Sequence, residues 1–297
     1  MTDPGRPDAA QTFESQRRSL TGLAYRMLGS LAEAEDVVQE AFLRWHAADR
    51  AAVADPRAYL SRVVTRLCLD QMKSARSRRE TYVGPWLPDP IVDPAAVAPD
   101  TASELAGDLS VALLLTLERL SPLERAAFLM HDVFELDFAE VGAALDRSAE
   151  ACRQLAARAR AHVREARPRF DPSDAEVARL ADAFEAAVAA GDVPGLTRLL
   201  AADAILYTDG GGKRAAALNP IHGSDRISRF FAGLARKQAP LALQSVRRTR
   251  LNGLPGFVIT DNTGQVETLA LEIRDGRIVA LYGVRNPDKL AHIAGLH

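Results

Sequence analysis

Arg147, Ser148, Glu150, Arg153, Gln154, Arg158 and Arg160 crowd into one short stretch of the chain, and their types suit one kind of chemistry. Guanidinium groups pair with phosphate, and Arg, Gln and Ser reach base edges in a major groove. Residues 147–169 carry seven Arg against two Glu. At about 100° per residue Arg153, Arg160 and Arg164 share one outward face of a helix, and Gln154 and Arg158 the adjoining one. The elements that must position them lie just upstream. Phe138, Val141, Ala144 and Leu145 make the inner face of a short helix, Asp146 and Arg147 a tight connection, and Ser148 the cap of a second helix. Cys152, Leu155, Ala156, Ala159 and Val163 line that second helix's inner face. The pattern is a helix-turn-helix, whose second helix is expected to enter the groove by its N-terminal end. A solvated face on a helical hairpin would explain the charge run, but not the turn spacing, the cap and the lopsided charge together.

A second basic cluster, Lys73, Arg76, Arg78 and Arg79, ends an earlier helix. Alone it favours a helix C-terminus; paired with the helix-turn-helix it makes a second DNA-contacting module. Acid is sorted elsewhere: residues 31–40 hold Glu33, Glu35, Asp36 and Glu40 with no base, which points to a separate macromolecular surface.

Helical periodicity runs from 12 to about 80 as "RRSLTGLAYRMLG", "LAEAEDVVQEAFLRWHAA" and "DPRAYLSRVVTRLCLDQMKSARSRRE". In the second, Ala34, Val37, Val38, Ala41, Phe42 and Trp45 recur at three- and four-residue steps. Residues 81–106 hold five prolines and read as an extended linker. Helices resume with "LSVALLLTLERL", "SPLERAAFLMHDVFEL", "DFAEVGAALD" and "SAEACRQLAARARAHVREAR". Beyond Pro168 and Pro172, Ser173 and Glu176 make a capping box for "DAEVARLADAFEAAVAAGD", and a second short helix follows through Leu200. Strand-like segments follow at "AILYTD", "AAALNPIHG", "LALQSVRRTRL", "GFVITD", "VETLALEIR" and "RIVALYGV", interrupted by the helix "SDRISRFFAGLARK". The last part is therefore expected to be an α+β unit whose curved antiparallel sheet wraps helices.

Composition excludes little else. The 297 residues carry 47% apolar and 26% charged side chains at a net charge of −2, the balance of an ordinary soluble protein. No apolar run suits a membrane span or signal core, so a cytoplasmic protein without membrane contact is expected. Cys68 and Cys152 fall on apolar helical stripes and read as buried thiols rather than metal ligands; no cofactor and no metal is expected.

These residues resemble a known family. "AYRMLGSLAEAEDVVQEAFLRWH…DPRAYLSRVVTRLCLDQMKSARSRRE" resembles region two of bacterial extracytoplasmic-function sigma factors, and "LERLSPLERAAFLMHDVFELDFAEVGAALDRSAEACRQLAARARAHV" resembles their region four. "YVGPWLPDP", "DGGGK" at 209–213 and "NPDKL" at 286–290 look like the marks of a subgroup with a SnoaL-like domain fused after region four. The resemblance implies a multi-domain chain: all-α region two over 11–80, a Pro-rich linker over 81–106, all-α region four over 107–168, and an α+β SnoaL-like cone over 173–292. It further implies binding to core RNA polymerase and promoter-specific initiation of transcription. By analogy Asp36, Gln39 and Glu40 meet the clamp helices of the polymerase β′ subunit. Arg62, Thr65, Arg66, Asp70, Lys73, Arg76, Arg78 and Arg79 engage the −10 element, where capture of a flipped base requires a pocket. Arg147, Ser148, Glu150, Arg153, Gln154, Arg158 and Arg160 hold the −35 element. A linker of 26 residues reaches roughly 80 Å at about 3.1 Å per residue, enough for promoter elements about 70 Å apart.

Two further expectations concern the C-terminal part. Pro85, Trp86, Leu87 and Pro88 sit where neither helix nor central strand forms; apolar burial and proline preorganisation favour their docking. The expected surface comprises Asp209, Gly210, Gly211, Gly212, Lys213, Asn286, Pro287, Asp288 and Lys289, giving regulation in cis. SnoaL-like cones also house enzymes and small ligands, and Asp203, Asp209, Asp261, His222 and Tyr207 are the available acid–base groups. None lies in a motif that demands catalysis. The alternatives are a SnoaL-type enzyme or ligand sensor fused to a DNA-binding module, and a helix-turn-helix repressor working without polymerase.

Overall fold

A computed structural model describes residues 9–92, 109–166, 173–238 and 243–294, with the side chains of 74–80, 165–166, 237–238, 243 and 294 outside that description. It divides into two compact units: Met1–Glu80 with Pro94–Arg167, and Thr81–Asp93 with Pro168–His297.

The first unit is helical. Helices α1 (Ala9–Leu28), α2 (Leu31–Ala47) and α3 (Pro56–Glu80) pack together. The stripe read from the sequence is the buried one: Ala34, Val37, Val38, Ala41 and Trp45. Phe42 sits at its edge, against Phe13 with ring centroids 5.1 Å apart. The Trp45 indole N–H donates to the Ala9 carbonyl at 2.9 Å. Asp55 starts α3 by accepting from the Arg57 and Ala58 amides, with Pro56 in the first turn, where its missing N–H leaves no bond unmade.

The same unit holds α4 (Val111–Arg119), α5 (Pro122–Phe128), α6 (Phe138–Leu145) and α7 (Ala149–Ala166). Ser121 and Glu124 form a full capping box at α5, and Asp137 and Glu140 another at α6. The expected single helix "SPLERAAFLMHDVFEL" is interrupted: after Phe128 the chain widens into a π turn, Leu129–Val133, and leaves it through Glu135 at φ 59°. The interruption turns the Phe134 carbonyl and Asp132 toward neighbouring helices, where both find arginines.

Arg125 ties these elements together. Its side chain is 2% exposed, donating from Nη1 to the Met27 carbonyl at 2.6 Å and to Glu118 Oε1 at 2.9 Å, so α5, α1 and α4 share one buried cation.

The second unit is α+β. Helices α8 (Asp174–Ala190), α9 (Val193–Leu199) and α10 (Ser224–Gln238) lie on a six-stranded sheet of order β2-β1-β6-β5-β4-β3. The strands are β1 (Leu200–Asp209), β2 (Ile221–His222), β3 (Leu243–Leu251), β4 (Leu254–Asp261), β5 (Val266–Arg274) and β6 (Arg277–Val284). Strands β3 to β6 form the expected meander. All neighbours are antiparallel except β1 and β6, which run parallel because the meander returns the chain beside β1. Of "AAALNPIHG" only Ile221–His222 pairs as strand; Pro220 has no N–H to give a ladder. The core between sheet and helices centres on Leu180, Phe184, Leu196, Phe231, Leu271 and Leu281. Phe184 meets Phe231 edge-on at 5.3 Å.

Among the described residues no helix is long and apolar enough to cross a membrane, and no group of His, Cys, Asp and Glu is arranged to hold a metal ion.

Two outcomes are expected from this packing. Cys68 and Cys152 are both fully buried, and burial pushes both thiols up. Iodoacetamide at pH 8 should therefore label them only after unfolding; prompt labelling of the folded protein would contradict the packing. Arg125→Ala should lower unfolding stability by about 3 kcal/mol in urea titration, since it leaves the Met27 carbonyl and Glu118 without their buried partner.

Candidate functional site

The helix-turn-helix forms as its spacing requires. The connection turns at Asp146 in the left-handed region (φ 55°), and the Arg147 amide donates back to the Gly142 carbonyl at 3.0 Å. A Cβ at Gly142 would lie 2.7 Å from the Arg147 carbonyl, so glycine is required where the two helices approach. Ser148 caps α7 through the Ala151 amide at 3.2 Å. On the outward face Arg147, Glu150, Arg153, Gln154 and Arg158 are exposed. Arg153 pairs with Glu150 at 3.2 Å and lies over the Phe138 ring, and Arg158 sits 3.6 Å from Glu124. Glu124 is held below the usual carboxylate range chiefly by the Ser121 hydroxyl, so it stays charged opposite Arg158. Arg160 departs from the expected outward face: it is half-buried and bonded to Asp132 at 2.5 Å, because the π turn brings that carboxylate to it.

On α2, Asp36 and Gln39 are exposed and Glu40 half-exposed, opposite the buried stripe; Glu40 pairs with Arg44 at 2.9 Å. The α3 residues divide into three groups. Asp70 and Lys73 are exposed and paired at 2.8 Å, and Arg62 covers the Tyr59 ring. Thr65 is fully buried, so in this conformation it has no access to nucleic acid. Arg66 donates to the Ala143 and Ala144 carbonyls at 2.9 and 3.0 Å, capping the C-terminal turn of α6. Arg57, which the sequence did not single out, donates to the Phe134 carbonyl. The side chains of Arg76, Arg78 and Arg79 lie outside the described residues.

Residues 81–92 run as an extended strap on the α+β unit. Its lock is a buried carboxylate and a buried ammonium. Asp209, fully buried at the end of β1, accepts from the Tyr82 hydroxyl at 2.6 Å, the Leu87 amide at 2.9 Å and Lys289 Nζ at 2.9 Å. Lys289 also donates to the Leu87 carbonyl and lies 4.2 Å from the Trp86 ring centroid and 5.2 Å from that of Tyr82. The backbone of Leu87 is thus held on both sides by one ion pair. Burial, then the bond to Asp209, pushes the Tyr82 hydroxyl well above its ordinary range, so it remains a donor.

Of the docking segment, Leu87 is the most deeply buried anchor. Leu87 is 1% exposed, whereas Trp86 is half-buried. Pro85 is half-buried beside it and Pro88 fully so. Asn286 donates to the Tyr82 hydroxyl at 2.9 Å, and its side chain fills the space where a Gly211 Cβ would stand, 2.2 Å from Nδ2. Gly211 is also left-handed at φ 59°, so side chains are doubly excluded. Gly210 is closed to a side chain by the Arg214 carbonyl, and Gly212 faces Val83. Pro287 opens a short 3-10 turn, Pro287–Lys289, that aims Lys289 inward; Lys213 and Asp288 add an exposed pair at 2.5 Å. Beyond the motifs, Asn252 exchanges two hydrogen bonds with the Ile91 backbone, and the His292 ring meets the Pro90 carbonyl at 2.8 Å. Asn252 also turns the chain between β3 and β4 at φ 51°, and its reach to the strap has no sequence signal.

The same unit contains a cavity of about 320 Å³ between α10 and the concave face of the sheet. None of Asp203, Tyr207, Asp209, His222 and Asp261 lines it. Asp203 and His222 are exposed, and Tyr207 stacks on Tyr282. The Thr263 hydroxyl, with backbone amides, holds the Asp261 carboxyl below its usual range. The acid–base groups noted in the sequence are therefore not gathered where a substrate would sit.

Comparison with known proteins places the chain. Residues 12–78 match the family Sigma-70 region 2, and residues 110–163 match Sigma-70, region 4. The chain is 40% identical to the ECF RNA polymerase sigma factor SigJ of Mycobacterium tuberculosis over 287 residues, covering 93% of this chain and 91% of the relative. It is 32% identical to the probable ECF RNA polymerase sigma factor SigI of the same species, covering 94% and 93%. The crystal structure of Mycobacterium tuberculosis SigJ superposes with a TM-score of 0.75 at 37% identity, over 94% of this chain and 97% of that one. With the two helical regions, the fused α+β domain and near full-length similarity in agreement, the chain belongs to the ECF RNA polymerase sigma factors.

Proposed function

We propose that this chain binds core RNA polymerase and directs it to specific promoters, and that the strap and the SnoaL-like domain control that activity in cis. In this reading residues 11–80 form the polymerase- and −10-binding module, 107–168 the −35 module, and 173–292 the regulatory domain. Asp36, Gln39 and Glu40 face the β′ clamp helices, and the outward charge of α2 supports that. Arg62 through Arg79 approach the −10 element, and Arg147 through Arg160 the −35 element, in the cytoplasm where polymerase works.

The observation that carries the regulatory reading is the lock on Leu87, because residues 81–92 are part of the only covalent connection between the two DNA-binding modules. A second observation agrees with it. Arg66 and Arg57 of α3 donate to carbonyls of the other module, inside which Arg160 is separately engaged by Asp132. Two modules held together in this way cannot span promoter elements about 70 Å apart. Polymerase and promoter must therefore compete for groups already bonded within the protein, a shift between closed and open populations set by their differential affinity.

A non-catalytic role for the SnoaL-like domain fits the scattered acid–base groups. In this reading the domain is a controller without turnover, and turnover of any small molecule by the full chain would favour the enzyme reading.

Two measurements test the proposal. In transcription with core polymerase, Trp86→Ala should raise promoter-dependent output with folding intact; output equal to wild type discards cis control. Asp209→Asn should strip the strap of about 3 kcal/mol of hydrogen-exchange protection at residues 82–91, since it removes the charge from the acceptor that Tyr82, the Leu87 amide and Lys289 share. Asp209→Asn with Lys289→Met should recover part of that loss. A double variant no better than the single one would deny the ion pair its role.

A further inference from the structure

The 320 Å³ cavity is bounded by helix α10, strands β1, β4, β5 and β6, and the segment 215–217. Its wall is mostly carbon: Leu206, Phe230, Phe231, Leu234, Ile259 and Leu269. The polar exceptions are Thr208, Thr268, Glu267 and Arg285. Glu267 and Arg285 are paired at 2.6 Å, both largely buried, and Arg285 also donates to the Ala215 carbonyl. The two charges cancel within the wall, so no net charge awaits an ionic ligand. A charged guest would lose its hydration with nothing to compensate it. The volume is roughly twice that of the ~150 Å³ apolar cavity known to hold one benzene, hence room for about a dozen heavy atoms. A mostly apolar pocket with a few fixed polar groups is the usual form of a small-molecule site.

The wall at 215–217 has a second face. Ala217 is tied to Thr208, its amide donating to Oγ1 at 2.8 Å. On the opposite side Gly84 of the strap lies against Leu218 and the Ala217 carbonyl, where a Cβ would fall at 3.7 and 3.8 Å. Val83 and Gly84 line a hollow together with residues 210 and 212–218. A single thickness of backbone therefore separates the cavity from the strap.

We infer that the cavity is a binding site for a small, neutral, largely apolar molecule of bicyclic size carrying one hydrogen-bonding group, and that its occupancy tightens the strap through residues 215–218. The molecule's apolar body packs against Phe230, Leu234 and Ile259, and its polar group meets Thr208 or the Glu267–Arg285 pair. A filled cavity holds 215–218 against the strap, and by linkage a docked strap strengthens binding of the molecule. The coupling rests on the strap reading proposed above; the site does not.

The test uses the full chain without polymerase and 2-naphthol as probe. Calorimetry should show saturable one-to-one binding, at least tenfold weaker for naphthalene-2-sulfonate. Leu234→Trp and, independently, Ile259→Phe fill the cavity; whichever folds as wild type by circular dichroism should weaken 2-naphthol binding at least tenfold. Saturating 2-naphthol should slow amide exchange at residues 82–91 at least tenfold, and Asp209→Asn should weaken 2-naphthol binding in return. Absence of saturable binding, or binding untouched by a folded cavity-filling variant, overturns the site. Binding without slower exchange in the strap overturns the coupling. Neither result depends on transcription, so failure here is distinguishable from failure of cis control.

Discussion

Much of this structure depends on one buried ion pair, Asp209 with Lys289, and on what it holds. An ion pair out of water is a weak source of net stability, because desolvation of both charges offsets their attraction. Its value lies in being all or none. Asp209 accepts from Tyr82, Leu87 and Lys289 together, and Lys289 turns a second donor to the Leu87 carbonyl. Remove the strap and both charges lose partners that water must replace; dock it and both are bonded to the Leu87 backbone. A contact built in this way has two states rather than a continuum, which is the physical requirement for a switch.

The strap's conformation suits docking. Prolines at 85, 88 and 90 restrict it before docking, so fixing it removes little backbone freedom. Leu87 supplies apolar burial, while Trp86 lies over the ammonium with part of its ring in solvent. The glycines of 210–212 matter for the complementary reason: each is placed where a Cβ would strike Arg214, Asn286 or Val83. Rigid strap and bare loop are two halves of one fit.

In the helical unit, several arginines bind the protein to itself. Arg66 caps α6, Arg160 meets Asp132, and Arg57 meets the Phe134 carbonyl. A guanidinium with five donors can serve a carbonyl, and serves an anionic phosphate more strongly. The proposed closed and open states therefore share side chains, and their balance responds to whatever competes for them. The π turn at Leu129–Val133 is the device that makes two of these bonds possible, since a regular helix would have carried Asp132 and Phe134 elsewhere.

The sequence by itself determined the elements and their order, because these are set by local chemistry. The three-and-four spacing of Ala34, Val37, Val38 and Ala41, the caps at Ser121, Asp137 and Ser148, and the turns at Asn252-Gly253 and Asp275-Gly276 all act within a few residues of themselves. The motifs at 209–213 and 286–290 were also legible as partners of the strap. Tertiary structure alone decided which atoms meet across long separations: that Leu87 rather than Trp86 is the anchor, that Asn252 and His292 reach Ile91 and Pro90, that Thr65 is sealed inside, and that Arg66 faces a helix end. It also decided that β1 runs parallel to β6 and that a cavity opens beside them. Periodicity names the face a side chain occupies, but the partner on that face is chosen by packing between segments that the sequence leaves far apart.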